Sequence, residues 1–315
     1  MSIAAEVYEA DRRALWGLCY RMTGSAADAD DIVQETFVRA MEHPPSRAGA
    51  SLRPWLVRVA TNLSLDHLRR RKRREYRGPW LPSPVPTQEA EFFDLERIAP
   101  STDSPSARYD MRESVSFAFL LALEALTPTQ RAVLLLRDVL DYSTEETAAA
   151  LHLSEANVKV HLHRARRRLD GYDKERFAPS STRATQEAIE RFLACLDAGD
   201  VECLEKLLTE DAVSLSDGGG KVYAALNPIY GRGKVARLIR GLNEKITWER
   251  RIVFRNLNSL PALVVENINA PEGFASRFTM HFEVDSLGKI RRLSVVLAPD
   301  KLSALEQLGY SRPDK

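Results

Sequence analysis

The chain has 315 residues, 44% of them hydrophobic and 28% charged, with a formal net charge of +1. That length accommodates two or three domains with cores of their own, while the near-neutral total hides basic and acidic stretches segregated along the chain. No run approaches the roughly 20 apolar residues of a membrane helix and the N-terminus has no secretory pattern, so a cytoplasmic protein with no membrane contact is expected. Cys19, Cys195 and Cys203 are odd in number and widely spaced, which argues against a disulfide framework or a CxxC site and predicts buried thiols.

Thr23-Gly24 breaks a first helix, and Ser25-Ala26-Ala27-Asp28 has capping-box spacing, so a new helix starts near Ala26. Ala29, Ile32, Val33, Thr36, Phe37, Ala40 and Met41 recur at the helical interval, leaving Asp30, Asp31, Gln34, Glu35 and Val38 to point elsewhere until His43-Pro44-Pro45 ends the helix. The next predicted helix has an apolar stripe of Trp55, Leu56, Val59, Ala60 and Leu63, with Arg58, Asn62, Arg69 and Arg73 opposite. From Arg53 to Arg74 eight basic residues face one acid, Asp66, and the run ends in six consecutive cations. Cations of this kind neutralise phosphates, whereas the amide of Asn62 suits a base edge.

Prolines at 79, 82, 84, 86, 100 and 105 mark an extended connector over 76–110, in which Trp80 and Leu81 sit on a stiff backbone. Two further helix starts follow: Thr127-Pro128-Thr129-Gln130, a capping box with proline at the first helical position, and Ser143-Thr144-Glu145-Glu146. A turn at His152-Leu153-Ser154 then leads to a helix with Val158, Leu162, Ala165 and Leu169 inward. Its opposite face carries Ala156, Val160, Arg164 and Arg167, flanked by Asn157, Lys159 and His163. This is a helix-turn-helix whose second helix suits the major groove, early side chains on bases and later cations on phosphates.

From Thr185 the pattern changes. Helices are predicted around Ile189–Leu196, Leu204–Leu208 and Val235–Leu242, then strands over Thr247–Leu257, Ala262–Asn269, Phe274–Val284 and Ile290–Leu297, which gives an α+β domain.

Three stretches, Asp28-Ala-Asp-Asp-Ile-Val-Gln-Glu-Thr-Phe37, Trp55-Leu-Val-Arg-Val-Ala-Thr-Asn62 and Leu126-Thr-Pro-Thr-Gln-Arg131 through Leu169, resemble regions 2 and 4 of bacterial extracytoplasmic-function (ECF) sigma factors. The resemblance implies a multi-domain chain with two all-α domains, sigma region 2 over 1–75 and the helix-turn-helix sigma region 4 over 111–175. It also implies binding to the clamp of the largest subunit of the RNA polymerase core through Asp31, Gln34 and Glu35. Promoter DNA would be contacted at the minus-ten element by Arg58, Asn62 and Arg69, and at the minus-thirty-five element by Asn157, Lys159, Val160, His163, Arg164 and Arg167. One departure is His152, where the family usually has glycine.

The final segment, 183–315, resembles the cone-shaped SnoaL-like fold carried by one subgroup of these factors. Trp80-Leu-Pro-Ser-Pro84, Asp217-Gly-Gly-Gly-Lys221 and Ala298-Pro-Asp-Lys-Leu302 are similar to that subgroup's three motifs, with Ser83 where an acid is usual and Ala298 where asparagine is usual. The resemblance implies a regulatory interface of Trp80, Leu81, Asp217, Gly218, Gly219, Gly220, Lys221, Asp300 and Lys301. The glycine loop is not a phosphate-binding P-loop, because the spacing and a Ser or Thr after the lysine are missing.

No cofactor, metal or catalytic residue is expected: His161 and His163 diverge on their helix, and a strand histidine, His281, beside Glu283 or Asp285 is the sole acid-base candidate. A small-molecule ligand in the cavity of the last domain is a further expectation. The rival reading of the whole chain is a free-standing helix-turn-helix regulator with a ligand-sensing domain, and the acidic helix near the N-terminus argues against it.

Overall fold

The computed structural model describes residues 3–43, 52–72, 76–86, 98, 108–110, 113–175 and 182–306. It divides into two compact units, 1–75 with 88–174 and 76–87 with 175–315.

In the first unit, α1 (Ile3–Thr23), α2 (Ala26–Glu42) and α3 (Arg53–Lys72) pack around Leu15, Leu18, Ile32, Phe37, Leu56 and Leu68. Ser25 caps α2 by accepting from the Asp28 amide, as the sequence predicts. On α3 the buried face is displaced from the predicted stripe. Val57, Thr61, Ser64 and Leu65 are buried along with Leu56, Ala60 and Leu63, whereas Trp55 and Val59 are half-buried beside Arg58 and Asn62. The hydroxyls of Thr61 and Ser64 make this possible by donating back to Val57 and Ala60 carbonyls at 2.7 and 2.8 Å.

The unit continues through α4 (Phe117–Leu123), α5 (Pro128–Leu134), a π-helical turn (Leu135–Val139), α6 (Thr144–Leu151), α7 (Glu155–Arg168) and α8 (Asp170–Glu175). Both predicted capping boxes, at Thr127 and Ser143, are formed. The end of α1 is joined to these later helices by three guanidinium groups. Arg131 donates to the Met22 carbonyl (2.8 Å), Arg71 to the Thr23 carbonyl (2.8 Å) and Arg21 to the Ser114 hydroxyl (2.7 Å). Arg131 and Arg71 thereby satisfy carbonyls that a helix terminus leaves unpaired. Glu124 balances two of the charges, accepting from Arg131 at 2.6 Å and Arg71 at 2.7 Å.

The second unit holds α9 (Thr182–Asp197), α10 (Val201–Leu207), β1 (Leu208–Asp217), β2 (Ile229–Tyr230), α11 (Arg232–Lys245), β3 (Arg250–Leu257), β4 (Leu260–Asn267), β5 (Arg277–Val284), β6 (Ile290–Val296) and α12 (Ser303–Glu306). One six-stranded sheet runs in the order β2-β1-β6-β5-β4-β3, with β1 and β6 parallel and every other pair antiparallel. Ile189, Phe192, Val235 and Ile239 from the helices meet Leu263, Val265, Phe282 and Leu293 from the sheet in one core. The predicted α+β class is therefore realised. β1 and β2 are not among the predicted strands, and Leu208, expected in the preceding helix, is the first residue of β1. The alternation in Thr209–Asp217 is too polar to register as a strand, since a parallel neighbour and α11 supply its apolar surroundings.

Cys195 and Cys203 are joined in a disulfide with Cα atoms 5.6 Å apart, which corrects the expectation of free thiols. Gly199 (φ +65°) and the cap Asp200, which accepts from the Cys203 amide, reverse the chain between α9 and α10 and bring the two cysteines face to face. Cys19 is free and buried, and burial pushes its thiol up to about 12, far from a reactive thiolate.

Candidate functional site

On α2 the carboxylates separate by task. Asp28 pairs with His67 at 3.1 Å, and Asp30 accepts from the Trp16 indole at 2.8 Å. Burial alone would raise the Asp28 pKa, but the His67 bond and charge hold it below its ordinary value; for Asp30 burial prevails and the value is raised. Asp31, Gln34 and Glu35 are all exposed, with Glu35 in a 2.7 Å surface pair with Arg39 one turn on. The three residues form one outward face over buried Ile32, Val33 and Thr36.

On α3, Arg58 and Asn62 are half-buried and Arg69 is exposed, paired with Asp66 at 2.9 Å. The basic run divides: Arg71 holds the later helices through Glu124, and Arg53 reaches Asp11, so these two have structural duties. Arg73 and Arg74 lie outside the described residues.

Ser154 caps α7, and Val158, Ala165 and Leu169 are buried beneath it with Leu162 half-buried. Asn157, Lys159, Val160, His163, Arg164 and Arg167 are all exposed, Val160 at 45%. Arg166 is committed elsewhere, donating twice to Asp138 at 2.6 and 2.9 Å. His152 closes α6 in the left-handed conformation (φ 53°, ψ 45°), so the turn keeps the geometry glycine would adopt there.

Residues 76–86 belong to the second unit, and of the expected regulatory interface Asp217 and Lys301 bond to them directly. The Asp217 carboxylate, wholly buried at the end of β1, accepts four hydrogen bonds. These come from the Tyr76 hydroxyl (2.5 Å) and Gly219 amide (3.0 Å) on one oxygen, and from the Leu81 amide (2.8 Å) and Lys301 ammonium (2.6 Å) on the other. Lys301 also donates to the Leu81 carbonyl at 2.5 Å, and its Nζ lies 4.1 Å from the Trp80 ring centre and 4.9 Å from that of Tyr76. A buried cation is thus matched by a carboxylate, a carbonyl and two ring faces.

The glycines make the approach possible. A Cβ on Gly218 would lie 2.6 Å from the Val222 carbonyl, and Gly219 has φ +61° with Ala298 against it. Lys221 bridges this loop to Asp300 at 2.6 Å on the surface. Beyond Trp80, the Val85 amide donates to Asn258 Oδ1 at 2.9 Å, the Asn258 amide returns a bond to the Val85 carbonyl, and Pro86 bridges Leu257. Tyr76 and Asn258 were not foreseen: Tyr76 stands just after the basic run, and Asn258 takes its role from a left-handed hairpin position (φ 51°).

His281 is buried and contacts the Thr279 hydroxyl at 3.1 Å, and burial drives its pKa down to about 3. Glu283 is occupied by Arg291 and by Arg292 at 2.7 Å, while Asp285 accepts from the Leu287 and Lys289 amides in a turn. The acid-base candidates therefore have separate structural partners. Two clefts among the described residues flank α9. One, of about 220 Å³, is lined by Gln186, Glu190, Phe254, Arg255, Asn256 and Pro261; the other, of about 750 Å³, lies against Glu187, Arg191 and Leu287.

An acid-faced helix, a cationic helix and a helix-turn-helix with an exposed outer face are the architecture of the sigma class. Residues 7–74 match the Sigma-70 region 2 family, and residues 116–169 match Sigma-70 region 4. The chain belongs to the ECF RNA polymerase sigma factors. It is 35% identical to SigJ of Mycobacterium tuberculosis over 240 residues, 76% of this chain and 72% of that one. Over 214 residues, 64% of this chain, it is 41% identical to SigG of the same organism, of which the match spans 58%. The crystal structure of M. tuberculosis SigJ superposes with a TM-score of 0.72 at 28% identity, covering 95% of this chain and 98% of that one.

Proposed function

We propose that this chain is an alternative sigma factor that directs promoter-specific initiation from the cytoplasm, with a C-terminal SnoaL-like domain that regulates it and is not an enzyme. The observation that carries the reading is the division of labour on α2. Asp28 and Asp30 are consumed inside the domain, while Asp31, Gln34 and Glu35 stay exposed as a docking face for the clamp of the polymerase largest subunit. Arg58, Asn62 and Arg69 on α3 would engage the minus-ten element. The exposed face of α7 would engage the minus-thirty-five element, with Asn157 and Val160 on bases and Arg164 and Arg167 on phosphates.

The regulatory role rests on the clasp of residues 76–86, the start of the connector between the two sigma regions, by Asp217 and Lys301. A domain that grips the connector limits the freedom of what the connector joins. His281, Glu283 and Asp285 are engaged in separate structural bonds, which supports a non-catalytic extension. The sheet face toward α9 is filled by side chains such as Phe192 and Phe282, whose ring centres are 5.2 Å apart, so a small-molecule ligand would belong in the clefts beside α9.

The test is a core-polymerase pull-down and run-off transcription with the purified chain. Asp31→Ala with Gln34→Ala should weaken core binding at least tenfold while leaving the unfolding transition unchanged. Undiminished core affinity would reject the docking face.

A further inference from the structure

Charge in the second unit is segregated in a way that its fold does not require. From Glu187 to Asp211 eight acidic residues accompany two basic ones, and from Arg232 to Arg255 the ratio is reversed. The centre of the basic stretch is α11. Val235, Ala236 and Ile239 bury its inner face against the sheet, and Arg232, Lys234, Arg237, Arg240 and Lys245 are exposed. Arg240 pairs with Glu244 at 2.6 Å, and Arg232 approaches Glu210 at 3.8 Å. Among the described residues no carboxylate forms an ion pair with Lys234, Arg237 or Lys245.

Helix stability does not account for this arrangement. Arg232 and Lys234 stand in the first turn, where the backbone dipole disfavours cations, and the N-cap, Gly231, contributes no side-chain bond. Lys234, Arg237, Gly241 and Lys245 follow one another at intervals of three and four, so they form one ridge. Eleven steps from Lys234 to Lys245 at about 1.5 Å each make it about 16 Å long, the axial length of roughly five phosphates of one DNA strand at 3.4 Å each.

We propose that the outer face of α11 is a further DNA-backbone contact, through which the extension adds sequence-independent affinity to the promoter complex. The proposal rests on the reading of the chain as a promoter-binding factor, because DNA is the polyanion that such a factor binds. The ridge has no apolar residue at its centre, where Gly241 leaves open space, and this suits phosphates better than a membrane surface that must be penetrated.

The experiment uses the full chain assembled with core polymerase and a duplex promoter fragment, with affinity measured across salt concentrations. Lys234→Glu with Arg237→Glu should weaken promoter binding at least tenfold near 0.15 M salt. Lys234→Gln with Arg237→Gln should lower the log–log salt slope by about 2, that is about 0.9 for each lost phosphate contact. Both variants are checked for an unchanged unfolding transition, and the glutamine pair decides the matter should the reversal perturb folding.

Gly241→Cys carrying a photoreactive group should crosslink to DNA in the same complex. Unaltered affinity and slope in the glutamine pair would overturn the proposal. So would crosslinks to polymerase subunits alone, with core affinity falling instead, which would assign the face to an acidic protein surface. Loss of wild-type promoter binding would instead indict the sigma-factor reading, so the two failures are distinguishable.

Discussion

Lys301 donates from Nζ to the wholly buried carboxylate of Asp217 at 2.6 Å, and both hold the backbone of Leu81, one through its carbonyl and the other through its amide. Removing the cation alone leaves a buried carboxylate without its counter-charge, a loss of about 3–5 kcal/mol. Lys301→Met should therefore speed hydrogen exchange of the Leu81 amide at least a hundredfold. Lys301→Met combined with Asp217→Asn should restore part of that protection. Equal exchange in the wild type and the single variant would show that the clasp does not hold the connector.

His281 offers a pH test. Its folded pKa of about 3 lies below the ordinary histidine value near 6.5, so the unfolded chain binds a proton that the folded one refuses. Stability from this group is complete above about pH 6.5 and is lost as pH falls toward 3, at up to about 1.4 kcal/mol per unit. Urea unfolding followed through Trp80 and Trp248, in a Trp16→Phe, Trp55→Phe background, should show this decline between pH 6.5 and 5. His281→Gln should flatten it there.

The left-handed His152 carries strain that glycine would not. His152→Gly should stabilise the helix-turn-helix by up to about 1 kcal/mol, the conformational penalty of a non-glycine residue at φ 53° less the extra freedom of glycine when unfolded. Thermal unfolding of the full chain measures it, and a lower transition would show that the His152 side chain contributes more than its backbone strain.

The Cys195–Cys203 bond closes a short loop, eight residues apart in sequence, and in the chain-entropy account should add about 2–3 kcal/mol to the second unit. Cys203→Ser should lower the stability of the oxidised protein by that order and leave the reduced protein nearly unchanged. A mass measurement with and without reductant checks the bond itself.

Interactions that span a few residues were legible from the chain alone. The caps at Ser25, Thr127 and Ser143 follow from side chains that reach amides three residues away, and helical periodicity gives the inward residues of α7 and those of α2 as far as Phe37; Met41, expected inward, is 72% exposed because the last turn of α2 runs past the core. Family motifs carried the reading further, to an ECF sigma factor with an α+β extension, because their residue types recur at set spacings. Periodicity was a weaker guide on α3, where Thr61 and Ser64 are buried by bonding their own helix, and on β1, whose polar residues are covered by neighbours distant in sequence.

What only the folded chain decided is where the distant pieces meet. Asp217 joins Leu81 across 136 positions and Lys301 joins Leu81 across 220, so residues 76–86 become part of the extension. Arg71 joins Glu124 across 53 positions, so one cation of the basic run is withdrawn from solvent to hold the later helices. Such contacts depend on burial and charge compensation that exist only after the sheet and helices have packed. A linear chain carries the residues that can pair, but the low-polarity surroundings that make one pairing prevail are made by the whole fold.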